Sequence, residues 1–287
     1  MQIKSPEWFK ELDLVSLLKE FKTIYKKRPI KNNKGGMLST HMFYVWITAK
    51  ELKPKLIVDS GTYKGQSAWL LKEACPDAKI ISFDPKPQRR LISCEGVHYE
   101  SCDFSQYDWS GIKNDSLVLF DDHQNAYTRL QQCKWFGFKN IIFEDNYPIL
   151  QGDCYSLKKI ISCSGFRSEL LQSNSKYRNY IKKLFNILYK KITSSPSQME
   201  QFQTIAVKPN KQDKYFIEKN LDIYFEFPPI YKTLTTRWGD PWNNENYPTS
   251  NPLIEEISDE EVINSDDFYK NECQSYNWIC FARIKNS

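Results

Sequence analysis

The sequence predicts an α/β fold: a doubly wound, mostly parallel sheet with helices on both faces, preceded by N-terminal helices and followed after the fifth strand by a helical insertion. Three observations carry this expectation. Short apolar or β-rich runs at 55–59, 79–83, 97–100, 116–121 and 139–143 alternate with helical segments or loops, notably 65–74 and 124–136, and that rhythm belongs to a parallel sheet covered by helices. Glycines and acidic residues gather just after those runs, where ligands of such sheets bind. A chain of 287 residues is also long enough to bury a full core.

Taken in order, Ser5-Pro6-Glu7 reads as a helix start, a capping hydroxyl followed by proline at the first helical position. Leu14, Leu17, Leu18, Phe21, Ile24 and Tyr25 continue that helix at a spacing that puts one face on the core. Residues 29–37 read as a loop, and a second helix is expected from Ser39 to Leu52, closed by Pro54. The strand–helix alternation follows. Beyond Pro148 the insertion at 149–200 carries Ile181, Leu184, Phe185, Leu188 and Ile192 on one helical face and lysines on the other, which reads as a solvated amphipathic helix packed on the core in preference to a membrane-surface helix, within an insertion that could form a lid. The C-terminal part holds an expected strand at 202–208, an aromatic loop ending in Arg237-Trp238-Gly239-Asp240-Pro241-Trp242, an acidic linker and a last strand at 277–284. The domain expectation is a helical cap over 1–54 and a single α/β domain over 55–287, with that insertion and a loop-rich C-terminal part.

Composition narrows the functional classes. A net charge of +5 with basic residues spread along the chain excludes a dedicated nucleic-acid binder. No apolar run reaches the roughly 20 residues of a membrane span, and MQIKSPEWFKELDL carries charges where a secretory signal has its apolar stretch. The expected location is cytoplasmic, with no stable membrane insertion and with a homo-oligomer allowed. The eight cysteines are scattered and form no CxxC pair, so free thiols are expected, with no zinc site.

The strand ends carry the chemistry. The first run leads into Asp59-Ser60-Gly61-Thr62-Tyr63-Lys64-Gly65-Gln66-Ser67. Gly61 permits a tight turn, and Gly65 and Ser67 fall where free amides open the next helix. A carboxylate at Asp59 would repel a pyrophosphate but suits a ligand with a cationic amino group and no phosphate, such as S-adenosylmethionine. That, with the missing GxGxxG, argues against a dinucleotide oxidoreductase. Asp84, about 20 positions on, is placed for ribose hydroxyls, and Asp103 for an adenine amino group beside Phe104. Each acid alone equally fits a turn or helix cap.

The pattern D-S-G-T-Y-K-G-Q-S followed by F-D-P, over roughly 55–145, resembles the class I S-adenosylmethionine-dependent methyltransferases and their Rossmann-like sheet. The resemblance implies a cofactor site of Asp59, Gly61, Thr62, Tyr63, Gly65, Gln66, Ser67, Asp84, Asp103 and Asp121. The fourth and fifth strands end in Asp121-Asp122-His123 and Glu144-Asp145. Oxygen donors in such a group suit a hard divalent ion, Mg²⁺ or Mn²⁺. Their spacing is similar to the metal-dependent branch that methylates sugar and macrolide hydroxyls, together with its cephalosporin hydroxylase-like relatives. That likeness implies Asp121, Glu144 and Asp145 as metal ligands, His123 as base with Asp122 beside it, and a sugar or glycoconjugate acceptor. The compact Asp121-Asp122-His123 run leaves open which aspartate meets the metal. Two other readings stay open: metal-independent methylation of a small molecule, and an inactive Rossmann-fold binding module. His98 reads as structural. His41 lines a pocket or packs in the core, and the sequence does not separate the two.

Overall fold

The computed structural model describes residues 5–111, 115–148, 151–162, 211–237, 239, 241, 251–256, 268–273, 275–276 and 278–285. The chain divides into two compact units. One comprises Met1–Asp122, Leu130–Asp145 and Asn220–Ser287, and the other His123–Arg129 and Asn146–Lys219.

The first unit is built on a seven-stranded Rossmann-like sheet. Five parallel strands, β1 (Leu56–Ser60), β2 (Lys79–Phe83), β3 (Val97–Glu100), β4 (Ser116–Phe120) and β5 (Asn140–Phe143), are joined by two later ones, β6 (Leu221–Glu226) and β9 (Cys280–Ile284). The spatial order is β3-β2-β1-β4-β5-β9-β6, with β9 antiparallel to both neighbours. β7 (Thr235–Thr236) and β8 (Ser275–Tyr276) form a separate parallel pair.

The expected alternation is therefore present, with strand limits within one residue of the sequence reading for β1 and β4. β1 and β4 run buried along nearly their whole length, as strands covered on both faces must. Ile57, Leu117, Leu119 and Ile142 face a core completed by α2 (Leu14–Lys26) and α3 (Ser39–Leu52). On α3, buried residues run without a break from His41 to Ala49, so this helix is enclosed rather than lying at a surface. α4 (Gln66–Ala74) starts directly after the β1 turn.

The N-terminus departs from expectation. Instead of one helix capped by Ser5, a single turn α1 (Glu7–Lys10) has Pro6 as its N-cap and no side-chain cap bond. α2 then starts afresh at Asp13, whose carboxylate accepts from the Ser16 amide at 3.1 Å and its hydroxyl at 2.7 Å. A short acid able to satisfy an opening amide favours a new helix start over continuation. The last strand begins at Cys280 rather than 277. The amphipathic segment around 181–192, the expected strand at 202–208, and Trp238, Asp240 and Trp242 lie outside the described residues.

In the second unit, α6 (Leu157–Ile161) is capped by Ser156, whose side chain accepts from the Lys159 amide. Tyr155 donates to Asp213 at 3.1 Å. Helix α5 (Ala126–Phe136) begins in this unit and ends in the first, whereas α7 (Lys211–Asn220) belongs to this unit up to Lys219.

Gly61 tests the sheet's central constraint. Its φ is +113°, and a Cβ there would overlap the carbonyl oxygen of Asp121 at the end of β4. Gly137 also has positive φ but meets nothing within 4 Å. Gly61→Ala is expected to cost about 2–4 kcal/mol in urea unfolding, against about 1–2 for Gly137→Ala, which carries only the left-handed penalty. Equal losses in the two variants would contradict this packing.

Candidate active site

The β1 turn is tied to β2 on both sides. The amides of Gly61 and Thr62 donate to the Phe83 carbonyl at 3.0 and 3.1 Å, and the Asp84 carboxylate accepts from the Tyr63 amide at 2.9 Å. Its other oxygen takes the Lys86 amide at 2.7 Å. Asp84 and the glycine turn thus converge, as the sequence pattern requires.

Asp59 has a structural task at this turn. It is fully buried and accepts from Ser67 Oγ at 2.9 Å and Ser82 Oγ at 2.5 Å, joining β1, the start of α4 and β2. Burial lifts its carboxyl, against the lowering effect of those two hydroxyls, to about 6. Asp103 caps a 3₁₀ turn at Phe104–Gln106, accepting from the amide and hydroxyl of Ser105.

Beside the turn lies a solvent-open recess of about 280 Å³, mouth included. Its lining includes Gly61, Thr62, Tyr63, Gln66, Ser67 and Asp121 from the expected set. Asp59, Gly65, Asp84 and Asp103 are not part of that wall. Asn33, Gly36, Met37 and Met42 are, and sequence reasoning did not find them. The signal available was the Gly35-Gly36 pair in the 29–37 loop. That loop is fastened to the turn through Gln66, whose side-chain oxygen accepts from the Ile30 amide at 3.0 Å, and through Lys64, which donates to the Lys34 carbonyl at 2.9 Å. Asn33 Oδ1 is buried and has no hydrogen-bond partner among the described residues, so the recess holds a spare acceptor. With Met37 and Met42 in the wall, this suits a ligand that has a donor group and an apolar body.

At the neighbouring ends of β4 and β5 the acids converge. Carboxylate oxygens of Asp121 and Asp145 lie within 4.8 Å of each other. Asp122 accepts from Ser60 Oγ at 2.7 Å. Glu144 is buried and its Oε1 is 2.6 Å from His41 Nδ1. Burial would raise the Glu144 carboxyl, but the charge and hydrogen bond of His41, with help from Asp145 and the charge of Arg237, bring it down to about 2. Glu144 is thus turned to His41. Three carboxylates gathered in little water repel each other, and two oxygens at the Asp121–Asp145 separation fit a small divalent ion taking one or two carboxylates. Oxygen donors and like-charge crowding therefore suit such an ion.

His123 belongs to the second unit. It is exposed, has φ +55°, and its Nδ1 lies 3.1 Å from Asp153. His98 is a surface residue beside Glu100 at 2.7 Å.

No protein-family profile and no curated protein matches the chain. Solved structures similar to it include an SAH-bound methyltransferase from Podospora anserina, PaMTH1, with 10% identity over 98% of this chain and 89% of that one, TM-score 0.44. The O-methyltransferase TomG from Streptomyces achromogenes, involved in tomaymycin synthesis and bound to SAM, gives 8% identity over 100% and 93% at TM-score 0.40. SAH-bound cmcI gives 18% identity and TM-score 0.33; the match takes in 36% of this chain and spans only 59% of the cmcI chain.

The raised Asp59 carboxyl has a sign that can be measured. Its folded value of about 6 lies above the ordinary 3.8, so the folded form binds the proton more tightly. The stabilisation it gives is complete below about pH 4 and is lost as pH rises through 6. Relative to Asp59→Asn, the native chain is expected to lose on the order of 2–3 kcal/mol between pH 4 and pH 7 in urea unfolding. A pH-independent difference would remove this assignment.

Proposed function

We propose that the chain is an S-adenosylmethionine-dependent methyltransferase acting, with a divalent metal ion, on a hydroxyl of a sugar or glycoconjugate. One observation carries the reading: Asp121 lines the recess under the glycine turn and also has a carboxylate oxygen within 4.8 Å of Asp145. A donor recess and an acid pair that share a residue suit transfer from a bound donor to a metal-oriented oxygen.

The donor would lie against Gly61, Thr62 and Tyr63, with Gln66 and Ser67 at the helix start and Asn33 Oδ1 accepting from its amino group. Asp84 sits at the β2 end, where a ribose would be met. Asp59 acts behind this surface by fixing the turn, and Gly65 by letting α4 begin close beneath it; Asp103 stays proposed near an adenine ring. Asp121 and Asp145 are the metal ligands best supported by geometry, and Glu144 joins them in the proposal while holding His41. When bound, S-adenosylmethionine supplies a methyl group on a cationic sulfur, and Mg²⁺ or Mn²⁺ a charge that lowers a hydroxyl's pKa.

His123 is proposed as the base, with Asp122 beside it, on its position two residues after Asp121. Asp153, 3.1 Å from Nδ1, orients the ring, and an imidazole can take up a proton near neutral pH. The proposal retains 1–54 as a cap and 149–200 as an insertion in the α/β domain. Among the described residues no helix is long and apolar enough to cross a membrane. The cytoplasm remains the proposed location.

Calorimetric titration with S-adenosylhomocysteine is expected to give a micromolar to millimolar Kd; silence at millimolar ligand would remove the cofactor. Asp145→Ala and EDTA should each lower turnover at least tenfold while leaving that titration intact. Turnover indifferent to both would leave a metal-independent enzyme. His123→Ala should lower kcat by roughly 10²–10⁴ if it is the base; a change confined to cofactor affinity would contradict the role.

A further inference from the structure

The first turn of α3 is pinned by a carboxylate from far along the chain. Leu38, the N-cap of α3, makes no side-chain bond to the opening amides, which need partners from elsewhere. Glu272 supplies one. Its carboxylate accepts from the Ser39 amide at 2.6 Å and from the Tyr25 hydroxyl at 2.7 Å, and Ser39 Oγ donates to the Phe268 carbonyl at 3.4 Å. Helix α2, the start of α3 and the 268–273 segment thus meet at one point, and His41 follows in the same turn of α3.

From that turn His41 reaches Glu144. The two side chains are buried, and Nδ1 lies 2.6 Å from Oε1. An ionised carboxylate can only accept, so Nδ1 carries the hydrogen. The other ring nitrogen, Nε2, is buried with no hydrogen-bond partner among the described residues. The polar capacity of this imidazole is therefore spent on Glu144 alone. Met42 and Phe43 follow it in the same enclosed stretch, and an interior with no other duty would be served as well by apolar residues at both 41 and 144. The pair is better understood as part of the acid group than as part of the core.

Glu144 is next in sequence to Asp145, whose carboxylate comes within 4.8 Å of that of Asp121. With Oε1 taken by His41, Glu144 keeps one oxygen for other work, on a side chain whose direction is set by a bond independent of any ion. Metal-ligating carboxylates are held by such outer hydrogen bonds, and losing one weakens metal binding by roughly 10–100-fold.

We infer that His41 is a positioning residue of the proposed metal centre: its Nδ1–H fixes one Glu144 oxygen and leaves the other for a divalent ion. The inference rests on the metal-assisted reading of the acid group.

Mn²⁺ binding to the full chain, followed by electron paramagnetic resonance of the free ion, tests it without a turnover assay. His41→Leu removes the donor and should weaken Mn²⁺ binding at least tenfold, whereas His41→Asn, whose amide nitrogen falls near the place of Nδ1, should bring it back to within about threefold of native. A residue that merely packs would not be rescued in this way, because asparagine is smaller and more polar than leucine. Should His41→Leu fail to fold, the native chain decides: a hydrogen-bonded His41 Nδ1–H proton, identified by its loss in His41→Asn, should be seen by NMR and should shift on addition of Mg²⁺. Native Mn²⁺ affinity in His41→Leu, equal weakening in both variants, or an Nδ1–H resonance indifferent to Mg²⁺ would overturn the role. If Asp145→Ala still abolished Mn²⁺ binding in that case, the metal reading would stand without His41. A native chain that binds no Mn²⁺ would remove the metal reading, and the role of His41 with it.

Discussion

The turn after β1 can pass beneath the end of β4 only because residue 61 has no side chain. The Asp121 carbonyl occupies the place a Cβ would need, and the Asp121 amide returns a hydrogen bond to Ser60 at 2.8 Å. This close approach brings the residue after β4 to the wall of a recess built otherwise from the β1 turn, the N-terminal loop and the first turns of α3 and α4. The remaining fastenings serve the same turn: Asp84 holds the Tyr63 amide, and Asp59 holds the hydroxyls of Ser67 and Ser82. A bulkier residue at 61 would have to push β4 away or twist the turn, and either change separates the recess from the acids.

Those acids pose an electrostatic problem. Asp121, Glu144 and Asp145 come from adjacent parallel strands, and two of the three are buried. Parallel order places successive carboxyl ends side by side, so the repulsion is built into the topology. His41 offsets part of it by taking Glu144, whose carboxyl is held low against the effect of its own burial. The Asp121 and Asp145 carboxylates come within 4.8 Å of each other, a separation that suits the small divalent ion of the proposed function.

Much of this was legible in the chain, and the limits have physical causes. Apolar runs buried on both faces are hard to mistake, and the five parallel strands stood out. The acids after those runs fall together at one end of the sheet, because topology alone fixes where carboxyl ends gather. Their individual tasks were another matter. Asp59 and Asp103 have the sequence context of ligand contacts, but one is buried under two serine hydroxyls and the other caps a 3₁₀ turn. An Asp carries no mark in sequence that separates a carboxylate facing a ligand from one facing an amide three residues away. The break at Asp13 was hidden for a similar reason: apolar spacing continued across it while one side chain reset the helix. Asn33 and His41 were hardest to read, since both come from segments ahead of β1 and reach their partners only through tertiary contacts, His41 meeting Glu144 across 103 positions.

The recess and the acids share one residue and so one constraint. Lys64 and Asp121 give the recess wall both signs of charge, so groups of either sign find a counter-charge there. Asp121 also forms the close acid pair with Asp145, and Glu144, next in sequence to Asp145, is engaged by His41. A displacement of the β1 turn against β4 would therefore disturb the recess wall and the acid pair together, because the same Asp121 backbone that Gly61 accommodates carries the carboxylate common to both.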